Sequence, residues 1–576
     1  MILQALAKYY DDMLSRGDIS APGWGKSKVN FALCLDESGN ITDIASLLVD
    51  TVVGKKTVKR RQMIDLPLTA KAGSSISPNF IWDNSTYFFG VDKKGKPKRS
   101  IECFEESKKF HHELLDEVNN TVSKAILSFF DSWNPEKALE NPFLSKVYDE
   151  VTENANLVFR VCGRYAHEDE EIKKVWQNHY NKKDGVKMQC LVTGKEDTIE
   201  ATHPVIKGVK DAQSSGAAIV SFNAPAFCSY GHEQNFNAPV GSSAAFAYTT
   251  AINHLLADKN HVQYIGDTTV TFWADGAEPE YRDFAFSALF GGESSQGLTD
   301  DDISAALKRL SEGLPCEELG LDPEKPFYIL GLAPSAARIS VRFFLRNSFG
   351  KIMKNVNDHN ERMKIKKSFE DDRETIPIWV MLRETVNLNS KSKAPSPAMA
   401  GATARAIFSG TRYPASLLEG VMLRIRAESK VNRNRAAIIK AYYLKNENKD
   451  CPKEVLTVSL NENSTNVAYT LGRLFSVYEA VQQAANPGIN ATIKDKYFNS
   501  AAARPASIFP ILGNLAQKHL RKLEKGKQIY FDRQISELKS ILGEEYPQTM
   551  NLAKQGSFDL GYYHQTQYRY TKKEDK

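Results

Sequence analysis

Phe327-Tyr-Ile-Leu-Gly-Leu332 and Ala337-Arg-Ile-Ser-Val-Arg-Phe-Phe-Leu345 are the stretches that decide the fold class. Both are apolar runs of strand length. The second alternates, which sets Arg338, Ser340 and Arg342 outward and Ile339, Val341 and Phe343 inward. Working outward, Thr268–Trp273 reads as a further strand. Asp300–Glu312 reads as a helix capped by Thr299 and stopped by Gly313, and a helix follows through Ile352–Phe369. The order β-α-β-β-α predicts an α+β unit, compatible with a split ferredoxin-like sheet.

On the N-terminal side the pattern is mixed. Ile2, Leu6, Tyr9, Tyr10 and Met13 fall near helical spacing, Val29–Leu35 and Ile41–Val53 read as strands, and Phe80–Trp82 and Tyr87–Gly90 as aromatic strands. Residues 101–187 carry helical spacing, and Ser243–Ala257 is an alanine-rich helix with a serine cap. From Ile376 onward nearly everything reads as helix: Thr403–Phe408, Pro414–Glu428, Asn432–Lys445, Val467–Ala484, Ala506–Lys525, Tyr530–Leu542 and Tyr546–Gly556. Asn446–Glu454 is the expected linker in that half. The fold class expected is α+β, an irregular mixed α/β N-terminal portion followed by a C-terminal antiparallel helical bundle. The segments expected are 1–100, basic and α+β; 101–187, helical; 188–375, an α+β core; 376–450, basic helices; and 451–576, the bundle.

At 576 residues, with 42% hydrophobic and 25% charged residues, the chain is globular and long enough for two to four domains. No apolar run reaches the ~18 residues of a membrane-spanning helix, and the opening residues lack the features of a signal peptide. The seven cysteines are scattered and never spaced Cys-x-x-Cys, which fits buried thiols in a reducing compartment; a cytoplasmic protein is expected. The net charge of +5 is unevenly spread. Residues 51–99 hold 11 Lys/Arg against 3 Asp/Glu, residues 391–446 hold 11 against 2, and residues 461–576 hold 16 against 11. Those segments together carry +22, which leaves −17 to the remainder. Such segregation is the footprint of a polyanion ligand, because cations set against phosphates release condensed counterions.

Catalytic motifs fail. Gly25-Lys26-Ser27 resembles the end of a phosphate-binding loop, yet Ser20 stands where its first glycine belongs, and no strand precedes it. The 11 histidines contain no His-x-x-x-His pair, His111 and His112 being adjacent, and no G-x-S-x-G elbow exists. No cofactor or metal is expected. A nuclease whose site is assembled from distant residues is the alternative reading. Nucleic-acid contact has more support. Lys55, Lys56, Lys59, Arg60 and Arg61 crowd seven positions, next to a small-residue loop with Lys71, Gly73, Ser74, Ser75 and Asn79. The stretch from His203 to Val240 is rich in Ser, Asn, Gln and Gly and nearly free of charge. Its Lys207, Gln213, Ser214, Ser215, Asn223, Tyr230 and Asn237 suit close fitting to a backbone or base edge.

Several of these stretches carry a family resemblance. Met1-Ile-Leu-Gln-Ala-Leu6 with Pro22-Gly-Trp24, His203–Ser215, and Ser221-Phe-Asn223 through Asn237-Ala-Pro239 are similar to the large subunit of the type I-C CRISPR interference complex. So are Ala245-Phe-Ala-Tyr-Thr-Thr250, Ile265-Gly-Asp267 with Phe272-Trp273, Asn466–Leu474 and Ala503–Ile511. The resemblance implies a non-catalytic DNA reader joined to repeated backbone subunits and a guide RNA. It would recognise the protospacer-adjacent motif on duplex DNA, help open the duplex, hold the displaced single strand and present a platform for a separate helicase-nuclease. It also implies a small subunit from the same gene, covering the chain from roughly Val455 onward, and no membrane association. On that reading Lys55–Arg61 anchor phosphates, and the Lys71–Asn79 loop or the Gln213–Asn237 segment probes the groove. Arg405, Arg412, Arg424, Arg426, Arg433 and Arg435, with Lys518, Arg521, Lys522 and Lys525, track single strands.

Overall fold

The structure, a computed structural model, describes residues 1–53, 56–68, 76–93, 97–153, 155–181, 185–291, 297–391 and 393–570. The chain divides into two compact units. Met1–Pro204 and Ser221–Ala251 make the first; Val205–Val220 and Ile252–Lys576 make the second. The fold is mixed α+β, with small sheets and a helical C-terminal region.

In the first unit, α1 (Ile2–Ser15) buries Leu6, Tyr9, Tyr10 and Met13, one stripe of an amphipathic helix. Then come β1 (Trp24–Val29), β2 (Phe31–Leu35), β3 (Ile41–Ser46), β4 (Val49–Val53), β5 (Lys56–Arg60), β6 (Gln62–Pro67) and β7 (Trp82–Asn84). These lead to α2 (Ser85–Phe88), α3 (Pro97–Leu115), α4 (Thr121–Ser132) and α5 (Leu144–Thr152). After them come β8 (Asn156–Val161), β9 (Arg164–Tyr165), α6 (Glu170–Asn181), β10 (Lys187–Gln189) and β11 (Glu196–Thr198). The main sheet runs β3-β2-β8-β7, with β9 on β8, and β2 lies parallel to β8. Two expectations change here. Residues 101–187 are not wholly helical, because Asn156–Val161 supplies an interior strand of that sheet; its residues Leu157, Val158, Phe159 and Val161 are buried, so no polar alternation marks it. Tyr87 and Phe88 belong to a helical turn rather than a strand, with Asn84 as its N-cap. The core is aromatic: Phe88 stacks on Phe159 at 4.3 Å, and His111 lies buried between Phe80 and Phe130. The His111 Nδ1–H donates to the Ser107 carbonyl at 2.7 Å, and Nε2 accepts from the Ile81 N–H at 3.0 Å. Both ring nitrogens are thereby used by a neutral imidazole, and burial pushes its pKa down to about 4.

The helix α7 (Ser242–Ala257) carries the chain into the second unit. There follow β12 (Gln263–Ile265), β13 (Thr268–Ala274), α8 (Pro279–Phe290), α9 (Asp300–Ser311), β14 (Pro326–Ser335), β15 (Arg338–Ser348) and α10 (Phe349–Met363). Thr299 caps α9 in a full capping box with Asp302. The strands pair in sequential order β12-β13-β14-β15, each neighbour antiparallel, so the sheet is a meander and not a split ferredoxin-like sheet. The expected alternation in β15 also breaks. A bulge pairs Gly331 with Phe343 and Leu332 with Val341, which leaves Arg342 as the extra residue. Val341 is therefore exposed instead of inward, and Phe343 joins the main core. Gly331 makes this possible, since a Cβ there would lie 2.7 Å from the Phe343 ring.

The remainder is helical: α11 (Ile378–Arg383), α12 (Pro397–Ser409), α13 (Ala415–Glu428), α14 (Arg433–Asn446), α15 (Val467–Ala485), α16 (Ile493–Ala503), α17 (Pro505–Leu520), α18 (Lys525–Leu542) and α19 (Leu552–Tyr570). The expected linker is not one. Cys451 is buried, and the Asp450 carbonyl accepts from Ser557 Oγ at 3.2 Å. The last helix begins at Leu552, beyond most of the Tyr546–Gly556 segment expected to be helical, and it is buried along most of its length. It crosses α15 at backbone distance: a Cβ on Gly472 would lie 2.0 Å from the Phe558 carbonyl oxygen, and one on Gly561 2.0 Å from that of Tyr469. One hydrophobic core, from Ile265 to Tyr563, joins the meander to these helices.

Candidate nucleic-acid interface

Of the basic stretch Lys55–Arg61, Lys56–Arg60 form β5. β4 and β5 pair antiparallel, with Val49 opposite Arg60 and Asp50 opposite Lys59. Lys56 and Lys59 belong to β5, and Arg60 and Arg61 are exposed where the chain turns into β6. Lys55, Lys71, Gly73, Ser74 and Ser75 lie outside the described residues. β1 pairs with β6, setting Lys28 opposite Met63 and Lys26 opposite Asp65. Lys26 and Lys28 are exposed at i and i+2, so they share one strand face. Gly25-Lys26-Ser27, similar in sequence to the end of a phosphate loop, is part of this strand, and only the pairing shows Lys26 and Lys28 on one face. Asn79 departs from expectation. It is 2% exposed and its N–H donates to Asp83 Oδ2 at 2.8 Å, so its side chain belongs to the interior and not to a groove-probing surface.

The Gln213–Asn237 segment, read as one probe, is divided between the units. In the second unit, paired hydrogen bonds between Ile206 and Ala217 (2.8 and 2.9 Å) close a loop. Ala218 bridges Arg338 at the start of β15, and the Lys207 N–H donates to Asn253 Oδ1 at 2.8 Å. Lys210 Nζ donates to the Gly266 carbonyl at 3.0 Å and lies over the Tyr264 ring. The loop presents Lys207, Gln213, Ser214 and Ser215 to solvent. Nearby, Arg342, the bulge residue, pairs with Asp267 at 2.7 Å. In the first unit Asn223 and Tyr230 are exposed, whereas the Asn237 amide is engaged within its own loop.

The basic helices divide sharply. Arg405 and Arg412 are exposed. Arg424 is buried and sits 3.6 Å from Glu428. Arg426 donates to Gln555 Oε1 at 2.8 Å. Arg433 donates to the Glu374 carbonyl, and Arg435, 5% exposed, reaches Glu384 at 2.9 Å, Glu428 at 2.6 Å and the Lys430 carbonyl at 2.9 Å. Lys440 donates to the Arg362 carbonyl, and burial pushes its ammonium down to about 8. Arg424, Arg433 and Arg435 are therefore internal struts, correcting the expectation that they track a strand. The α17–α18 corner is the opposite case. Lys518, Arg521, Lys522 and Lys525 are all exposed, and none has an ion-pair partner among the described residues. Lys527 extends the group, and Ile529 and Tyr530 beside it are about half exposed. Cations beside an accessible ring can bind a strand through phosphates and stacked bases.

Among the described residues, no group of three or more His, Cys, Asp or Glu side chains could hold a metal ion, and no helix is long and apolar enough to cross a membrane. The family model described as CRISPR-associated protein (Cas_Csd1) matches residues 6–570. The chain belongs to the Cas_Csd1 family. It is thus a CRISPR-associated component of a Cascade complex, in keeping with a type I-C large subunit. No curated protein matches it. In this Cas_Csd1 chain the match spans both units, so the exposed cations Arg60 and Arg61 and those of the α17–α18 corner all fall within the family's length.

Proposed function

We propose that this chain is the non-catalytic DNA-binding large subunit of a type I-C CRISPR interference complex. It recognises the protospacer-adjacent motif on duplex DNA, aids opening, holds the displaced strand and offers a platform to a separate helicase-nuclease. Its partners are a guide RNA with repeated backbone subunits and a small subunit made from the same gene. The observation that carries this reading is the α17–α18 corner: Lys518, Arg521, Lys522 and Lys525 stand exposed, and among the described residues none has a carboxylate partner such as those that hold Arg424 and Arg435. Four exposed cations on one corner suit a phosphate backbone, and guide pairing relieves the protein of reading sequence. Arg60 and Arg61, with Lys26 and Lys28, supply the duplex grip in the first unit. Lys207, Gln213, Ser214 and Ser215 offer uncharged and singly charged donors to a groove.

The test is a salt series on the assembled complex, with matched and permuted motifs and Mg²⁺ present. The wild type is expected to bind only the matched target and to leave it uncut. The variant with Lys518, Arg521, Lys522 and Lys525 changed to alanine should bind with a flatter salt slope. Binding that ignores the motif, an unchanged slope, or cleavage of labelled DNA by the complex alone would sink the reading.

A further inference from the structure

We infer that Tyr230 is a base-stacking residue, its ring a platform for one unpaired nucleobase of the target; the inference rests on the proposed DNA-reading role. Tyr230 is 99% exposed, the most exposed of the chain's large hydrophobic side chains among the described residues, and its ring has no partner there. The turn that carries it is well built. The His232 N–H donates to the Ser229 carbonyl at 3.0 Å, with φ of +53° at Tyr230 and +75° at Gly231. Positive φ at both central residues is the type I′ pattern, which favours Asn, Asp or Gly at the first of them. An aromatic residue there is strained, and among the described residues no contact of the ring offsets that strain.

Asn237 clamps both ends of the turn. Its Oδ1 accepts from the Ser229 N–H at 2.7 Å, and its Nδ2 donates to the carbonyls of His232 at 3.0 Å and Gln234 at 2.9 Å. Asn235, buried beneath, donates its N–H to the Ala201 carbonyl. The ring is thus held out on a rigid support, so little ordering cost remains for a ligand to overcome. Charge points to the kind of ligand. Ser221–Ala251 contains no Lys or Arg and a single acidic residue, Glu233. Such a tip has no cationic side chain to set against a phosphate. It offers an aromatic face and uncharged polar groups, which match the face and edges of a base; every base has a π-face, so stacking needs no particular sequence.

The experiment uses the full chain in its assembled complex, with targets carrying 2-aminopurine at successive positions beside the motif. Tyr230→Ala should weaken target binding roughly 5- to 150-fold. It should remove a fluorescence quench at one position, and leave the salt slope unchanged because no phosphate contact is lost. Tyr230→Phe should restore both affinity and quench, since the ring and not the hydroxyl does the stacking. Melting of Tyr230→Ala should match the wild type, because the side chain is exposed over nearly its whole surface. If wild-type complex fails to bind a matched target, the DNA-reading role itself falls. If wild type binds and Tyr230→Ala equals it in affinity and quench, stacking alone is overturned. Failure of Tyr230→Ala to enter the complex would place the ring against a protein subunit and overturn it equally, as would Tyr230→Phe behaving like the alanine variant.

Discussion

The helices α13 and α14 and the corner between α17 and α18 are about equally rich in cations, and they use them in opposite ways. In the first region Arg424, Arg433, Arg435 and Lys440 turn inward and bond to carboxylates or backbone carbonyls. In the second, Lys518, Arg521, Lys522 and Lys525 face water. Positive charge along a sequence therefore speaks to ligand binding only after burial is known. A buried arginine cannot release counterions to a phosphate, while an exposed one contributes little to the fold.

The sharpest way to break this contrast is Arg435→Ala. It leaves Glu384 without its buried partner and is expected to cost about 3–5 kcal/mol, read by chemical denaturation. If the cost were under about 1 kcal/mol, the strut role would be wrong. Next is Gly561→Ala, which drives a Cβ into the Tyr469 carbonyl where α15 and α19 cross. A loss of about 3 kcal/mol is expected in the same assay.

Acid should act on the buried side through its histidines. Burial pushes His359 and His564 down to about 3, with Arg362 adding to the first and Lys440 to the second. Because the folded values lie below the unfolded value of about 6.5, the unfolded chain takes up protons first. This stabilisation is complete above about pH 6.5 and is lost as pH falls toward 3. At pH 5 each histidine should cost about 2 kcal/mol. A double His359→Gln, His564→Gln variant should flatten the dependence of the melting temperature between pH 7 and 5; an unaltered profile would refute the assignment.

The smallest effect on folding belongs to the corner. Changing Lys518, Arg521, Lys522 and Lys525 to alanine should alter stability by less than about 0.5 kcal/mol. The same change should lower the single-strand salt slope by up to about 3. Stability and binding thus respond in opposite order in the two regions, and a variant series that failed to separate them would dissolve the comparison.

Much of the local structure was legible. The α1 stripe of Leu6, Tyr9, Tyr10 and Met13, the Thr299 cap and the helical C-terminal region follow from spacing and from capping chemistry within a few residues. Interior strand β8 was hidden because burial on both sides removes polar alternation. The bulge at Arg342 was hidden because it depends on Phe343 filling the space above Gly331 on another strand. For the candidate interface, the sequence marked where cations are dense and where charge vanishes, and it marked Tyr230 within an uncharged stretch.

By itself, then, the sequence determined the elements, the mixed class and the segregation of charge, since these arise from neighbours along the chain. Tertiary structure alone decided which cations reach solvent, which unit holds Val205–Val220, and that Asn79 turns inward while Tyr230 stands out. Those outcomes depend on partners far away in sequence: Glu384 for Arg435, Arg338 for Ala218 and Ala201 for Asn235. Burial is a property of the packed chain, and no window of local sequence contains it.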